Sequence, residues 1–283
     1  MQAGNIIFIV WRECIEALLV IGILQAWLAH QGDAVDARRG RWFLWSGVAA
    51  GIAAAVAIGA ALLFLGEALP EGAQEIYQTV IVFIAAALIV QMVVWMRKHG
   101  RTLKRDLETA LTSAATHSNW WGVFLLALLA VAREGSETVI FLYGALAASR
   151  SGSLAATVGA IAAGFVAAVA TYLALQIGSR VLSWRLFFRV TEIMLLLLGG
   201  ALMLTGIDNL VGLGVVPSLA PRLWDTSSIL SENSIAGRLA TSFLGYRSRP
   251  DAIELLALTA YWVLVLWLTS SSTTVARARA GVG

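Results

Sequence analysis

The chain is poor in the residues that build cysteine- or histidine-based metal centres. Its 283 residues include a single cysteine, Cys14, and three histidines, His30, His99 and His117, which lie far apart. One cysteine excludes an intramolecular disulfide, and the histidines lack the local spacing of zinc or copper ligands. A metal site of the usual nitrogen and sulfur kind is therefore not expected.

Charged residues are also scarce: they make up 13% of the chain, against 59% hydrophobic residues. This composition is typical of an integral membrane protein and excludes a soluble globular fold. The apolar runs are continuous and long enough for helices to cross a hydrocarbon core of about 30 Å. The sequence predicts an all-α integral membrane protein with seven transmembrane helices. The spans cover residues 5–29, 42–65, 76–96, 120–146, 154–178, 187–208 and 252–272.

Two short strings place charges inside these apolar runs. They read Arg12-Glu13-Cys14-Ile15-Glu16 in the first span and Arg133-Glu134-Gly135-Ser136-Glu137 in the fourth. An ionised side chain near a helix centre costs roughly 2.5–3.5 kcal/mol on insertion scales, so these charges should face one another, water or a bound ion. Each string could instead form a structural ion pair that holds helices together. The occurrence of the same pattern in two spans argues against this interpretation.

Together the two strings predict one metal site near the bilayer midplane. The candidate ligands are Glu13, Glu16, Glu134 and Glu137, with Arg12 and Arg133 in support. Glutamates three residues apart share a helix face, and their oxygens suit hard, highly charged cations. The lack of a nearby histidine, cysteine or methionine cluster argues against softer metals. Four carboxylates and two guanidinium groups leave two negative charges, which a divalent or trivalent cation brings near neutral. Cys14 lies between the glutamates and is an alternative metal ligand, although a small buried thiol in a helix usually serves packing.

The chain organisation predicts an inverted repeat within a single transmembrane domain, 1–283. The first half contains helices one to three and the second half helices four to six, and the first helix of each half carries a charged string. Because three helices precede the second half, that half crosses the membrane in the opposite direction. The predicted parts are repeat one at about 1–96, repeat two at about 120–208, an outer loop at 209–250 and a last helix at about 252–272. Transporters of this design place their site at the interface between the repeats.

Basic residues indicate the orientation, because they collect in short cytoplasmic loops. The predicted inner segments hold Arg38, Arg39 and Arg41, then Arg97, Lys98, Arg101, Lys104 and Arg105, then Arg180, Arg185 and Arg189, and finally Arg277 and Arg279. We therefore predict an outside N-terminus and a cytoplasmic C-terminus.

The two strings resemble the Arg-Glu-x-x-Glu signatures of the high-affinity iron permease family. Further similarity to its bacterial branch lies in Met92-Val93-Val94-Trp95-Met96, Arg133 to Gly144, Leu223 to Ser227 and Gly245 to Pro250. The resemblance implies a permease, not an enzyme, that imports iron as ferric ion across the bacterial inner membrane. It also implies iron as cargo with no permanently bound cofactor, and periplasmic or extracellular iron-delivery or ferroxidase proteins as partners. Nucleic acid is not an expected partner.

The sequence departs from the family pattern in two places. Cys14 stands where the family usually has glycine, and one acid of a carboxylate pair near Glu75 is missing or replaced by Glu71. Glu67, Glu71 and Glu75 lie in a predicted outer loop without basic residues and are candidates for an ion entrance, although acids also favour helix N-termini.

Two further acids are weaker candidates. Asp225 in the outer loop and Glu192 at the inner end of the sixth span are considered for the loop and the exit. A solvated face for Asp225 and an ion pair with Arg189 for Glu192 are the competing interpretations.

Other functions stay open at this point. A permease for another divalent or hard cation, such as lead or manganese, fits the same glutamates. An intramembrane metalloenzyme would need an activated water with a nucleophile or a histidine-based metal, and no such group is recognisable. A purely structural subunit would leave both charged strings unexplained. The sequence shows no nucleotide-binding loop, so the membrane potential, a proton gradient or a partner is expected to drive transport.

Overall fold

The computed structural model describes residues 2–29, 34–99, 120–147, 153–177, 184–218 and 223–280. All regular secondary structure in these ranges is helical. The part of the predicted basic segment that contains Arg101, Lys104 and Arg105 lies outside the described residues, as does Arg180.

Six long helices precede a short helix and a final long one. They are α1 Gln2–Ala29, α2 Ala34–Ala68, α3 Glu71–His99, α4 Trp121–Ala147, α5 Leu154–Ile177, α6 Trp184–Gly212, α7 Ile235–Leu239 and α8 Ala252–Ala280. A π-helical turn, Ala240–Leu244, continues α7.

Several helices are longer than their apolar runs. α2 begins at Ala34 and not at 42, and α8 ends at Ala280 and not at 272. A helix satisfies its own backbone hydrogen bonds, so it can continue through polar residues beyond the apolar stretch that matches the bilayer. For the same reason the predicted outer loop begins only after Gly212.

Within the ranges that the structure describes, five helices are long and apolar enough to cross a membrane, namely α2, α3, α5, α6 and α8. The remaining long helices, α1 and α4, have 28 and 27 residues, but the two charged strings interrupt their apolar stretches. The protein is therefore an integral membrane protein, and the count of seven spans stays a prediction.

Large apolar side chains cover the outward faces of the spanning helices. Phe64 of α2 is 73% exposed, Val166 of α5 is 65% exposed and Leu266 of α8 is 63% exposed. Exposed apolar surface of this extent is unusual on a soluble monomer, whereas lipid tails solvate it. The buried core lies inside, where Ile9, Ile89 and other apolar side chains of α1, α3, α4, α6 and α8 interdigitate.

Two helix pairs pack closely along their length, α1 with α5 and α2 with α4. A Cβ added to Gly51 of α2 would lie 2.8 Å from Val131 Cβ, and one added to Gly164 of α5 would lie 2.9 Å from Val10 Cβ. Both positions therefore need glycine for the close approach, as expected of small residues at membrane helix contacts. α1 also meets α4, and α3 meets α6.

The chain between α6 and α8 forms an ordered segment, residues 223–251, which we call the cap. Glu232 Oε1 accepts hydrogen bonds from the Ser248 backbone nitrogen at 2.6 Å and from its hydroxyl at 2.8 Å. At the start of α1, the Asn5 amide donates to the Ser242 carbonyl at 3.4 Å. The cap therefore lies at the membrane end where α1 begins.

Candidate metal site

Both charged strings lie well inside their helices, and the contact between α1 and α4 brings them together. One carboxylate oxygen each of Glu13, Glu134 and Glu137 lies within 4.8 Å of the other two. This is the spacing of ligands around a single cation, and we call these three residues the carboxylate triad. The structure thus joins the two strings that the sequence predicted to share one site.

The triad is almost closed to solvent. Glu13 is 1% exposed and Glu134 is 9% exposed, and the Glu137 side chain is 13% exposed. In each residue Oε2 is buried and accepts no hydrogen bond from any described residue. Burying carboxylate oxygens without partners is costly, because the charge loses its hydration. Each residue of the triad therefore has a buried oxygen that a cation could satisfy.

Glu16, the fourth predicted ligand, is not part of the triad. Its Oε1 accepts a hydrogen bond from Arg12 Nη2 one turn earlier, and its side chain is 16% exposed. The structure places Glu16 beside the site, where it shares a guanidinium group with Glu13.

Arg12 is buried beside the two glutamates of α1. Its side chain is 1% exposed, and Nη1 donates to Glu13 Oε1 at 2.6 Å. The same nitrogen lies 3.1 Å from the Met92 sulfur, and Nη2 lies 3.6 Å from the Met96 sulfur. Arg12 therefore binds two carboxylates of α1 and contacts two thioethers of α3.

Arg133 occupies the corresponding position in α4, but its surroundings differ. Its Nε donates to Glu137 Oε1 at 3.1 Å, and its side chain is 36% exposed. The guanidinium carbon lies 4.1 Å from the centroid of the Trp95 ring, a cation–π geometry. The two arginines are thus unequal, one enclosed and one at an open edge of the site.

Three residues of α3 that contact the site were not predicted as site residues. Met92, Trp95 and Met96 were recognised only as part of the family resemblance at the end of the third span. Their spacing was an available signal, because residues three or four apart share a helix face. The sequence indicated no methionine cluster near the motifs, whereas the structure places the sulfurs of Met92 and Met96 against Arg12.

The tentative entrance residues lie far from the triad in sequence, at the α2–α3 connection. Glu67 and Glu75 are exposed, and Glu71 is the first residue of α3. The exposure of Glu67 and Glu75 is compatible with an entrance but also with ordinary acids at a helix start.

The two weaker candidates both have ion-pair partners. Glu192 of α6 pairs with Arg97 of α3, where the sequence suggested Arg189. Asp225 pairs with Arg249 at 2.9 Å inside the cap. Hydrogen bonds from the Ser227 hydroxyl and backbone, followed by the charge of Arg249, lower the pKa of Asp225 below its ordinary value. Neither acid needs a transported ion to account for its position.

The chain is similar to known proteins over most of its length. The model of the iron permease FTR1 family matches residues 4–275. Over 265 residues, the chain is 30% identical to "Ferrous iron permease EfeU" of Escherichia coli O157:H7, covering 91% of this chain and 90% of the relative. A protein of the same name from Yersinia pestis is 28% identical over 253 residues, or 87% of this chain and 86% of the relative. No solved structure matches the chain.

Proposed function

Because the chain belongs to the iron permease FTR1 family, we propose that it imports iron through the carboxylate triad. The observation that carries the proposal is the meeting of Glu13 with Glu134 and Glu137, three buried carboxylates from two helices. Their oxygens provide the ligands, while Arg12 and Arg133 limit repulsion between the carboxylates when no ion is bound.

We infer that the ion crosses as Fe²⁺. Two relatives from different genera carry the printed name ferrous iron permease, and the two strings together leave two negative charges for one divalent ion to neutralise. The sequence-based expectation of ferric iron stays a prediction. Manganese and lead remain the competing cations, because glutamate oxygens alone discriminate poorly among divalent ions.

We propose that the helices form seven spans with a 3+3 inverted repeat, in which α1 corresponds to α4 and α2 to α5. Glycine contacts support this: a Cβ at Gly51 would approach Val131 and the Leu128 carbonyl, and one at Gly164 would approach Val10 and the Ile7 carbonyl. Val10 and Val131 precede the glutamates Glu13 and Glu134 by the same three residues. The two helix pairs thus pack alike with respect to the site.

The proposed orientation places the N-terminus, the cap and the α2–α3 connection outside. Glu67 and Glu75 would then attract cations at the outer end. Inward movement of a divalent ion through a potential of 100 mV releases about 4.6 kcal/mol, because each charge contributes about 2.3 kcal/mol. Delivery or ferroxidase proteins outside remain proposed partners.

Uptake into proteoliposomes tests the function directly. We expect Glu13→Gln, Glu134→Gln and Glu137→Gln each to reduce Fe²⁺ uptake at least about tenfold, since loss of even a residue that supports a metal site costs about 10–100-fold. Gln keeps the shape of the side chain and removes its charge. Glu16→Gln should have a smaller effect, because Glu16 lies outside the triad.

Glu192→Gln is the matched control, because Glu192 and Glu137 side chains are both 13% exposed and both ion-paired. Its uptake should stay near that of the unmodified protein. Near-normal uptake by all three triad variants, at normal expression, would refute the proposed site.

A further inference from the structure

Each terminal nitrogen of Arg12 lies between a carboxylate oxygen and a thioether sulfur. Nη1 is 2.6 Å from Glu13 Oε1 and 3.1 Å from Met92 Sδ. Nη2 contacts Glu16 Oε1 and lies 3.6 Å from Met96 Sδ. The glutamates are one turn apart on α1 and the methionines one turn apart on α3, so two oxygen–sulfur pairs line the contact between these helices.

A guanidinium nitrogen here marks positions of positive charge. The oxygen and sulfur that flank Nη1 both contact this one nitrogen atom, so a cation near its position lies beside a carboxylate and a thioether. Glu13 also belongs to the carboxylate triad, and its buried Oε2 has no hydrogen-bond partner among the described residues. The Met92 sulfur is therefore connected to the triad through Arg12, which contacts both Met92 and Glu13.

The sulfurs contribute little to holding Arg12, because a thioether is only a weak hydrogen-bond acceptor. Nor does packing require them, since leucine replaces methionine in a core at small cost. Met92 is 2% exposed, so its sulfur faces protein groups and not solvent. What a thioether adds beyond leucine is a polarisable donor atom that prefers softer cations.

We propose that Met92 and Met96 determine specificity, by adding sulfur ligands that favour softer divalent cations such as Fe²⁺ and Cd²⁺ over the harder Mn²⁺. The inference rests on the proposed function, because it assigns further ligands to the same transport site. An ion bound in this way replaces the Arg12 guanidinium beside Met92 and Met96, so Arg12 moves away from both sulfurs when the ion binds.

Competition between cations measures the selectivity. In proteoliposomes under reducing, oxygen-free conditions, uptake of Fe²⁺, Cd²⁺ and Mn²⁺ is compared for the unmodified protein, Met92→Leu, Met96→Leu and the double variant. We expect the Cd²⁺ to Mn²⁺ uptake ratio of the double variant to fall about tenfold, the lower end of what loss of a residue supporting a metal site costs. Mn²⁺ uptake itself should persist.

Met203→Leu is the matched control, because Met203 packs against the core on α6. It should leave the ratio unchanged. An unchanged ratio in the double variant, with normal Mn²⁺ uptake, would overturn the inference.

X-ray absorption distinguishes direct ligation from support of Arg12. Cys14→Ser removes the only cysteine, so any sulfur scattering around bound Cd²⁺ must then come from methionine. We expect a sulfur shell in this background and its loss after Met92→Leu and Met96→Leu. Oxygen-only coordination in Cys14→Ser would overturn the inference, even if the uptake ratio changed.

The proposed function can fail separately. If the unmodified protein transports none of the three cations, or if Glu134→Gln transports them all normally, the transport site itself is wrong. If the triad variants abolish uptake while the methionine variants keep both the uptake ratio and the sulfur shell around Cd²⁺, only the sulfur ligands are refuted.

Discussion

The unequal burial of the two arginines predicts unequal losses of stability. Arg12→Gln removes a guanidinium that is 1% exposed and leaves Glu13 and Glu16 without their partner. Breaking a buried ion pair from one side costs about 3–5 kcal/mol, because the remaining charge is uncompensated. Arg133→Gln removes one ion pair and one aromatic contact from a side chain that is 36% exposed.

The expected cost of Arg133→Gln is smaller. Arg133→Gln leaves one carboxylate, Glu137, without its partner, whereas Arg12→Gln leaves two. Each buried group left unpaired costs about 1–3 kcal/mol, and the Arg133 side chain is itself partly solvated. The two variants should therefore differ by at least about 1 kcal/mol in free energy of unfolding, with Arg12→Gln the less stable.

Reversible unfolding in mixed micelles, followed by the fluorescence of the 11 tryptophans, measures this difference. Two additions test the cause. Glu16→Gln in the Arg12→Gln background removes one uncompensated carboxylate and should restore part of the loss. A cation that binds only the folded state adds stability through its affinity. Saturating Mn²⁺ should therefore stabilise Arg12→Gln more than the unmodified protein, because the variant leaves Glu13 and Glu16 without their positive partner.

Equal losses for the two arginine variants would refute the reasoning, since they would show that burial of Arg12 does not determine its contribution. So would an Arg12→Gln variant that Glu16→Gln destabilises further.

Two other predictions concern the ends of the helices. In a Cys14→Ser background, a membrane-impermeant thiol reagent should label Glu67→Cys from outside in right-side-out vesicles and should label Lys98→Cys only after permeabilisation; the opposite pattern would reverse the proposed orientation. In the cap, the lowered pKa of Asp225 means that its contacts are present above its ordinary pKa and are lost only as pH falls through the lower folded value. Between pH 7 and 5, hydrogen exchange should therefore show unchanged protection of the Ser227 amide, which donates to Asp225 at 2.9 Å, whereas Asp225→Ala should remove this protection at both pH values.

The sequence predicted the helical membrane fold because long apolar runs allow few other solutions in a bilayer. It also predicted that Glu13, Glu134 and Glu137 meet, because charges inside two such runs are costly unless they share a site. Both arguments depend on local composition and on the cost of burial, which a single chain displays directly.

Other features depended on which side chains face one another across helices. Local periodicity gives the face of a helix but not its neighbour, so Glu192 was paired with Arg189 on its own helix and not with Arg97 of α3. The same limit hid the contact between Arg12 and the two methionines of α3, which are 80 and 84 residues away.

The chemistry of the site follows from the amino-acid sequence alone, because two strings with the same Arg-Glu-x-x-Glu pattern lie inside long apolar runs. Only the tertiary structure decided how they divide. Met92 and Met96 of α3 reach Arg12, which is buried, whereas Arg133 contacts the Trp95 ring and is 36% exposed. Two strings with the same local pattern thus differ in burial and in contacts, because the helices packed around a charged side chain determine its exposure and its partners.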